Sequence, residues 1–154
     1  ETRKKVVYFH GLESPQGGTK VEHMRLDHSV YAPPMDYNEP GLFQKMLKKV
    51  KELQPQLLIG SSMGGYFAYQ IATHTGIPVL LFNPALHSRK FQPPGVTSGG
   101  STVSGEIVLG KNDKIIPHGE TMGLLQSSID DGSISVYIED YGHRTPFSKF
   151  TSYL

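Results

Sequence analysis

"LLIGSSMGGYFAYQ", residues 57–70, decides how the rest of the chain is read. An apolar run, Leu57-Leu58-Ile59, enters a turn made of glycine and serine, and a helical pattern leaves it. Such a turn has three possible meanings: a flexible Gly/Ser connection, a cradle for a phosphate, or the sharp bend that presents a nucleophile. Gly60-Ser61-Ser62-Met63-Gly64 matches G-x-S-x-G with Ser62 at its centre. The bare pattern is weak in a chain with 17 glycines. Its position between an apolar strand and a helix is the context that the motif requires. A residue held on a tight strand-to-helix turn takes strained backbone angles. Side chains two positions before and after it would collide with the neighbouring backbone, so glycine fits at both. Ser61 is flanked at those positions by Ile59 and Met63 and fails the requirement. Ser62 is therefore the candidate nucleophile.

Working outward, apolar strands and amphipathic helices alternate. Strands are expected at 4–9 ("KKVVYF"), 28–34, 56–60, 78–84, 105–113 and 133–140. Helices are expected at 19–26, 40–53, 64–76, 118–129 and 147–154. Thr19 and Glu22 look like the two ends of a capping box, and Leu42, Phe43, Met46, Leu47, Val50 and Leu53 fall at helical spacing. Residues 85–104 are rich in Pro, Gly and Ser and read as a loop. Four of the strands are nearly continuous apolar runs, as in strands covered on both faces, which predicts a parallel α/β sheet. Neither a repeat nor a boundary interrupts the pattern, so the expectation is one α/β domain over 1–154. Ligands of such sheets bind at the carboxyl ends of the strands. That directs attention to the turns at His10-Gly11-Leu12, Ser61-Ser62-Met63, Asn83-Pro84, Asp113 and His143.

A serine hydroxyl needs a base, and the base needs an orienting carboxylate. The chain order Ser, then Asp/Glu, then His is met at strand ends by Asp113 in "LGKNDKIIP" and His143 in "EDYGHRTP". His87 is the rival base, and Asp130, Asp131, Glu139 and Asp140 are rival carboxylates. "KND" is also ordinary turn chemistry. Two backbone donors would hold an oxyanion: the N–H of Met63, just after the nucleophile, and that of Leu12 in "FHGLESPQGG" after the first strand. His10 would shape that loop and take no part in proton transfer.

The formal net charge is +1 and no dense basic run occurs, which gives no footprint for nucleic acid. Lys45, Lys48, Lys49 and Lys51 read as the wet face of a helix. The absence of cysteine excludes disulfides, thiol nucleophiles and cysteine-ligated metals. No H-E-x-x-H occurs, so no metal site is expected. "GLESPQGGTK" has neither the glycine spacing nor the Lys-Thr order of a phosphate loop, so no nucleotide cofactor is expected. No apolar run reaches the roughly 20 residues that span a bilayer. No secretory leader is readable, which makes a cytoplasmic setting the default.

Together, "FHGLES", "GSSMGGYFA", "FNPA", "GKNDKIIP" and "YGH" resemble the α/β-hydrolase superfamily, and within it the small lidless esterases of the YqiA type. The retinoblastoma-binding-protein-9-like serine hydrolases are a more distant likeness. The resemblance covers nearly the whole chain. It implies a three-layer sandwich with a six-stranded parallel sheet in the order 2-1-3-4-5-6. It also implies Ser62 as nucleophile, Asp113 as acid, His143 as base, and Leu12 and Met63 as oxyanion donors. Residues 85–104 are too few for the cap domain of larger relatives, so an open, shallow site is expected. The implied activity is hydrolysis of a small-molecule carboxylic ester without a cofactor. Thioesters and peptides are alternatives for the same machinery, and a hydrolase-like scaffold that only binds a protein is a third. The sequence does not give the oligomeric state.

Overall fold

The computed structural model describes residues 4–12 and 18–154. The sheet contains β1 (Lys4–Phe9), β2 (His28–Tyr31), β3 (Leu57–Ser61), β4 (Val79–Phe82), β5 (Gly105–Gly110) and β6 (Ile134–Glu139). All neighbours pair in parallel, in the order β2-β1-β3-β4-β5-β6. The order implied by the resemblance is the order found. Helices lie around this sheet: α1 (Thr19–Asp27), α2 (Leu42–Leu53), α3 (Met63–Thr75), α4 (His118–Leu124), α5 (Gln126–Asp130) and α6 (Phe147–Ser152).

Alternation along the strands divides the core in two. Val7, Phe9, Leu58, Val79, Leu81, Ile107 and Leu109 face one side, with the buried residues of α2 and α3. Val6, Tyr8, Ile59, Leu80, Phe82 and Val108 face the other, with Val21 and Met24 of α1 and Phe150 of α6. A period of two on a sheet covered by helices on both faces produces the continuous apolar runs read in the sequence. In α2, Leu42, Phe43, Met46, Leu47 and Val50 are buried while Lys45, Lys48 and Lys51 are exposed. Each such apolar side chain contributes about 1.5–3 kcal/mol on burial. Phe67 of α3 lies at the centre of the first core, edge-on to the rings of Phe9, Tyr37 and Phe43.

Several element ends differ from expectation. The capping box at α1 does not form: Gly18, at φ +96°, is the N-cap, and no side chain caps the helix. The glycine makes the turn into the helix, which places Thr19 one residue too late to cap. β2 stops at Tyr31, just ahead of Pro33 and Pro34, which have no N–H to offer a ladder. The expected helix over 118–129 is two short helices meeting at buried Leu125. The Leu125 N–H is shared between the carbonyls of Thr121 and Met122. Gly119 and Gly123 weaken this stretch as a helix.

Residues 85–104 form neither helix nor strand. They are nevertheless tied to α3. The Ser101 N–H bonds the Thr73 carbonyl, the Gly99 N–H bonds Thr73 Oγ1, and the Ser98 hydroxyl bonds Gln70 Oε1. Among the described residues, no cap domain stands over the strand ends. Among the described residues, no helix is long and apolar enough to cross a membrane.

Candidate active site

The turn between β3 and α3 places Ser62 at φ +55°, ψ −118°. This is a costly conformation for a residue with a side chain, typically about 1–3 kcal/mol. The glycines around it explain how the chain can bend there. A Cβ on Gly60 would run into the Gly64 carbonyl, and one on Gly64 would run into the carbonyls of Phe9 and His10. A Cβ on Gly65 would also press against Pro84, at 2.8 Å. Backbone bonds fix the turn from the neighbouring strand: the Ser62 N–H donates to the Phe82 carbonyl, and the Ala85 N–H donates to the Ser62 carbonyl.

Ser62 Oγ lies 3.0 Å from His143 Nε2. His143 Nδ1 lies 2.8 Å from Asp113 Oδ2. A carboxylate only accepts, so Nδ1 carries the proton and Nε2 presents its lone pair to the serine. The Asp113 side chain has no exposed surface. Its other oxygen, Oδ1, accepts the N–H groups of Ile115 at 2.8 Å and Ile116 at 2.9 Å. The "KND" turn therefore has two uses: it bends the chain, and it fixes a buried carboxylate by three hydrogen bonds.

The rival residues lie elsewhere. Ser61 continues β3 onto the opposite face and sits beside Tyr8; burial pushes the Tyr8 phenol up and the Ser61 side chain draws it partly back. His87 faces Glu120 at 3.6 Å. Asp130 bonds Gln126, Asp131 bonds the Ser133 N–H, Glu139 bonds Lys149 and Tyr153, and Asp140 bonds Asn112.

Met63 opens α3, so its N–H has no acceptor within the helix. Leu12 lies in the turn after β1. The remainder of its loop, residues 13–17, falls outside the described residues, as does half of the stretch compared with a phosphate loop. His10 holds the near end of this loop. Its Nε2 accepts the Met35 N–H at 3.1 Å, which leaves the proton on Nδ1 to be donated to the Gly11 carbonyl at 2.7 Å. Tyr37 donates its hydroxyl to the His10 carbonyl, and burial drives that phenol well above its usual range. Both ring nitrogens of His10 are thus occupied in supporting the loop. Leu12, Ser62, Met63 and His143 all line one cleft of about 720 Å³, with Phe91 and Ile115 among its apolar walls.

One important side chain had no assigned role in the sequence reading. Asn83, after β4, is buried at φ +43°. Its Nδ2 donates to the carbonyls of His143 at 2.8 Å and Gly142 at 3.2 Å, and its Oδ1 accepts the Gly110 N–H at 2.7 Å. Asn83 joins the end of β5 to the loop that carries His143. Its position at a strand end was the available signal. Among the described residues, no group of three or more histidines and carboxylates is placed to hold a metal ion.

The sequence profile of an uncharacterised protein family, UPF0227, matches residues 5–94. The chain belongs to that family. The matched region of this UPF0227 chain runs from β1 into the segment after β4 and includes Leu12, Ser62 and Met63. Asp113 and His143 lie beyond it. No curated protein matches the chain. Solved structures are similar across nearly its full length. A Xanthomonas campestris pv. campestris protein assigned to the alpha/beta hydrolase superfamily aligns at 22% identity with TM-score 0.75, over 99% of this chain and 98% of its own. A carboxylesterase from Mesorhizobium loti aligns at 15% identity with TM-score 0.66, over 99% and 87%. A serine hydrolase without a lid, also from Xanthomonas campestris, aligns at 13% identity with TM-score 0.62, over 99% and 78%. The UPF0227 chain thus has the α/β-hydrolase fold in a form without a cap.

Proposed function

We propose that this protein is a serine esterase, with Ser62 as nucleophile, His143 as general base and acid, and Asp113 as the group that orients and charge-stabilises His143. One observation carries the reading: the unbroken relay from Ser62 Oγ to His143 Nε2 at 3.0 Å and from His143 Nδ1 to Asp113 Oδ2 at 2.8 Å. The strained backbone at Ser62 and the position of the relay in the wall of an open cleft support it.

In this mechanism Ser62 Oγ attacks the acyl carbon while its proton passes to His143 Nε2. The imidazolium that forms is stabilised by the buried Asp113 carboxylate. The carbonyl oxygen becomes an oxyanion, held by the N–H groups of Met63 and Leu12. Each such donor lowers the barrier by about 2.7–4 kcal/mol. The C–O bond to the leaving group then breaks, and His143 returns its proton to the departing alcohol. Water, activated by the same imidazole, attacks the acyl-serine and releases the acid. The mechanism calls on no cofactor.

Turnover of 4-nitrophenyl esters of graded acyl length tests this reading. A folded wild-type protein hydrolyses the short esters, and Ser62→Ala does not. Wild-type protein that turns over none of them refutes the proposal.

A further inference from the structure

Arg89 lies in the wall of the cleft that contains Ser62, on the irregular segment after β4. Its guanidinium is held on several sides. It stacks over the Tyr66 ring, 4.1 Å from the centroid. Nη1 donates to the carbonyls of Ala85 at 3.0 Å and Leu86 at 2.8 Å, and Nε donates to Gln92 Oε1 at 3.0 Å. Gln92 is itself fixed by a bond to the Tyr66 hydroxyl. A guanidinium has five N–H donors in a planar fork. Three are spent on these contacts; the two on Nη2 have no acceptor among the described residues.

A second cation stands beside it. Lys90, the next residue, is exposed, lines the same cleft and makes no hydrogen bond or ion pair among the described residues. Arg144, beside His143, is a third cation in the lining. No aspartate or glutamate lines the cleft among the described residues, and Asp113 is sealed behind His143. The chain as a whole carries only +1, so the adjacency of Arg89 and Lys90 in the cleft wall is a local feature. A guanidinium already fixed in place loses little freedom when it binds, and each remaining Nη2 N–H can donate one charge-assisted hydrogen bond to an anionic oxygen.

We propose that the cleft selects esters that carry an anionic group, bound by Arg89 Nη2 and the Lys90 ammonium. Leu12, Phe91 and Ile115 offer apolar contact to the rest of the molecule. The inference rests on the esterase reading above and adds the substrate class to it.

The test uses two matched ester pairs at low ionic strength. Mono-4-nitrophenyl adipate and 4-nitrophenyl hexanoate differ by a carboxylate for a methyl on the acyl half. 4-(Butyryloxy)phenylacetate and 4-ethylphenyl butyrate differ in the same way on the alcohol half. The readout is the anionic-to-neutral ratio of kcat/KM, which cancels any loss common to both members. Wild-type protein favours the anion about 10-fold or more in at least one pair, and 1 M salt shrinks that preference as the Debye length falls to about 3 Å. Arg89→Gln brings the ratio close to one, Lys90→Gln reduces it about threefold, Lys90→Glu reduces it further, and Lys90→Arg retains it. A 5-phosphonopentanoyl ester separates the two sources of anion: the higher kcat/KM identifies phosphate or carboxylate as the preferred group. Equal or better turnover of the neutral member in both pairs overturns the anion site and leaves the esterase reading standing. So does a preference that survives both Arg89→Gln and Lys90→Glu. No turnover of any of these esters by folded protein overturns both.

Discussion

Replacing Asp113 by asparagine isolates one hydrogen bond of the proposed relay. Asp113 Oδ1 accepts the N–H groups of Ile115 and Ile116 at 2.8 and 2.9 Å, while Oδ2 accepts His143 Nδ1 at 2.8 Å. An asparagine keeps the two backbone bonds only by placing its carbonyl oxygen at the Oδ1 position. Its NH2 group then faces His143 Nδ1. Two donors cannot share that contact, so the imidazole moves its proton to Nε2, where it opposes proton transfer from Ser62. The negative charge that would stabilise the imidazolium is lost as well. The expected cost is about 10⁴-fold in kcat, or about 5 kcal/mol in the barrier. The turn and its amide bonds persist, so the fold is expected to survive. The assay pairs kcat on 4-nitrophenyl butyrate with thermal unfolding of the same preparation. A folded Asp113→Asn protein within tenfold of wild-type kcat, alongside an inactive Ser62→Ala, refutes the role given to Asp113.

Three further outcomes follow from the packing. Gly64→Ala forces a methyl into the Phe9 and His10 carbonyls. It is expected to cost about 3 kcal/mol or more, read as a fall in Tm of roughly 6–12 °C or as loss of folded protein. Gly123→Ala, in α4 with no atom within 4 Å of the new methyl, is expected to leave Tm unchanged or raise it slightly. Asn83→Ala removes the bonds to His143, Gly142 and Gly110. It is expected to lower kcat/KM on 4-nitrophenyl butyrate at least tenfold and to lower Tm, whereas unchanged kcat/KM would separate Asn83 from the placement of His143.

The sheet was legible because its strands are covered on both faces: Val6-Val7-Tyr8-Phe9 and Val79-Leu80-Leu81-Phe82 spread their side chains over both cores. Ser62 could be told from Ser61 because steric demand acts at fixed distances along the chain, and only Ser62 has glycine at both. Asp113 and His143 were readable as residues at strand ends, which a parallel sheet gathers along one edge. The ends of α1 and α4 were less legible. There a single glycine angle, or the pull of buried Leu125, outweighs local pattern. Asn83 and Arg89 act through partners distant in sequence or within an aperiodic loop, and neither periodicity nor spacing reports such contacts. Asn83 contacts Gly110, Gly142 and His143, whereas Arg89 acts on Tyr66 and on carbonyls within its own loop.

The most direct test of the central claim is covalent capture of the nucleophile. A fluorophosphonate probe, followed by peptide mass spectrometry, is expected to modify wild-type protein at Ser62 alone. Ser61→Ala is expected to label like the wild type, and Ser62→Ala is expected to remain unlabelled. Labelling that persists in Ser62→Ala, or that maps to Ser61, contradicts the account.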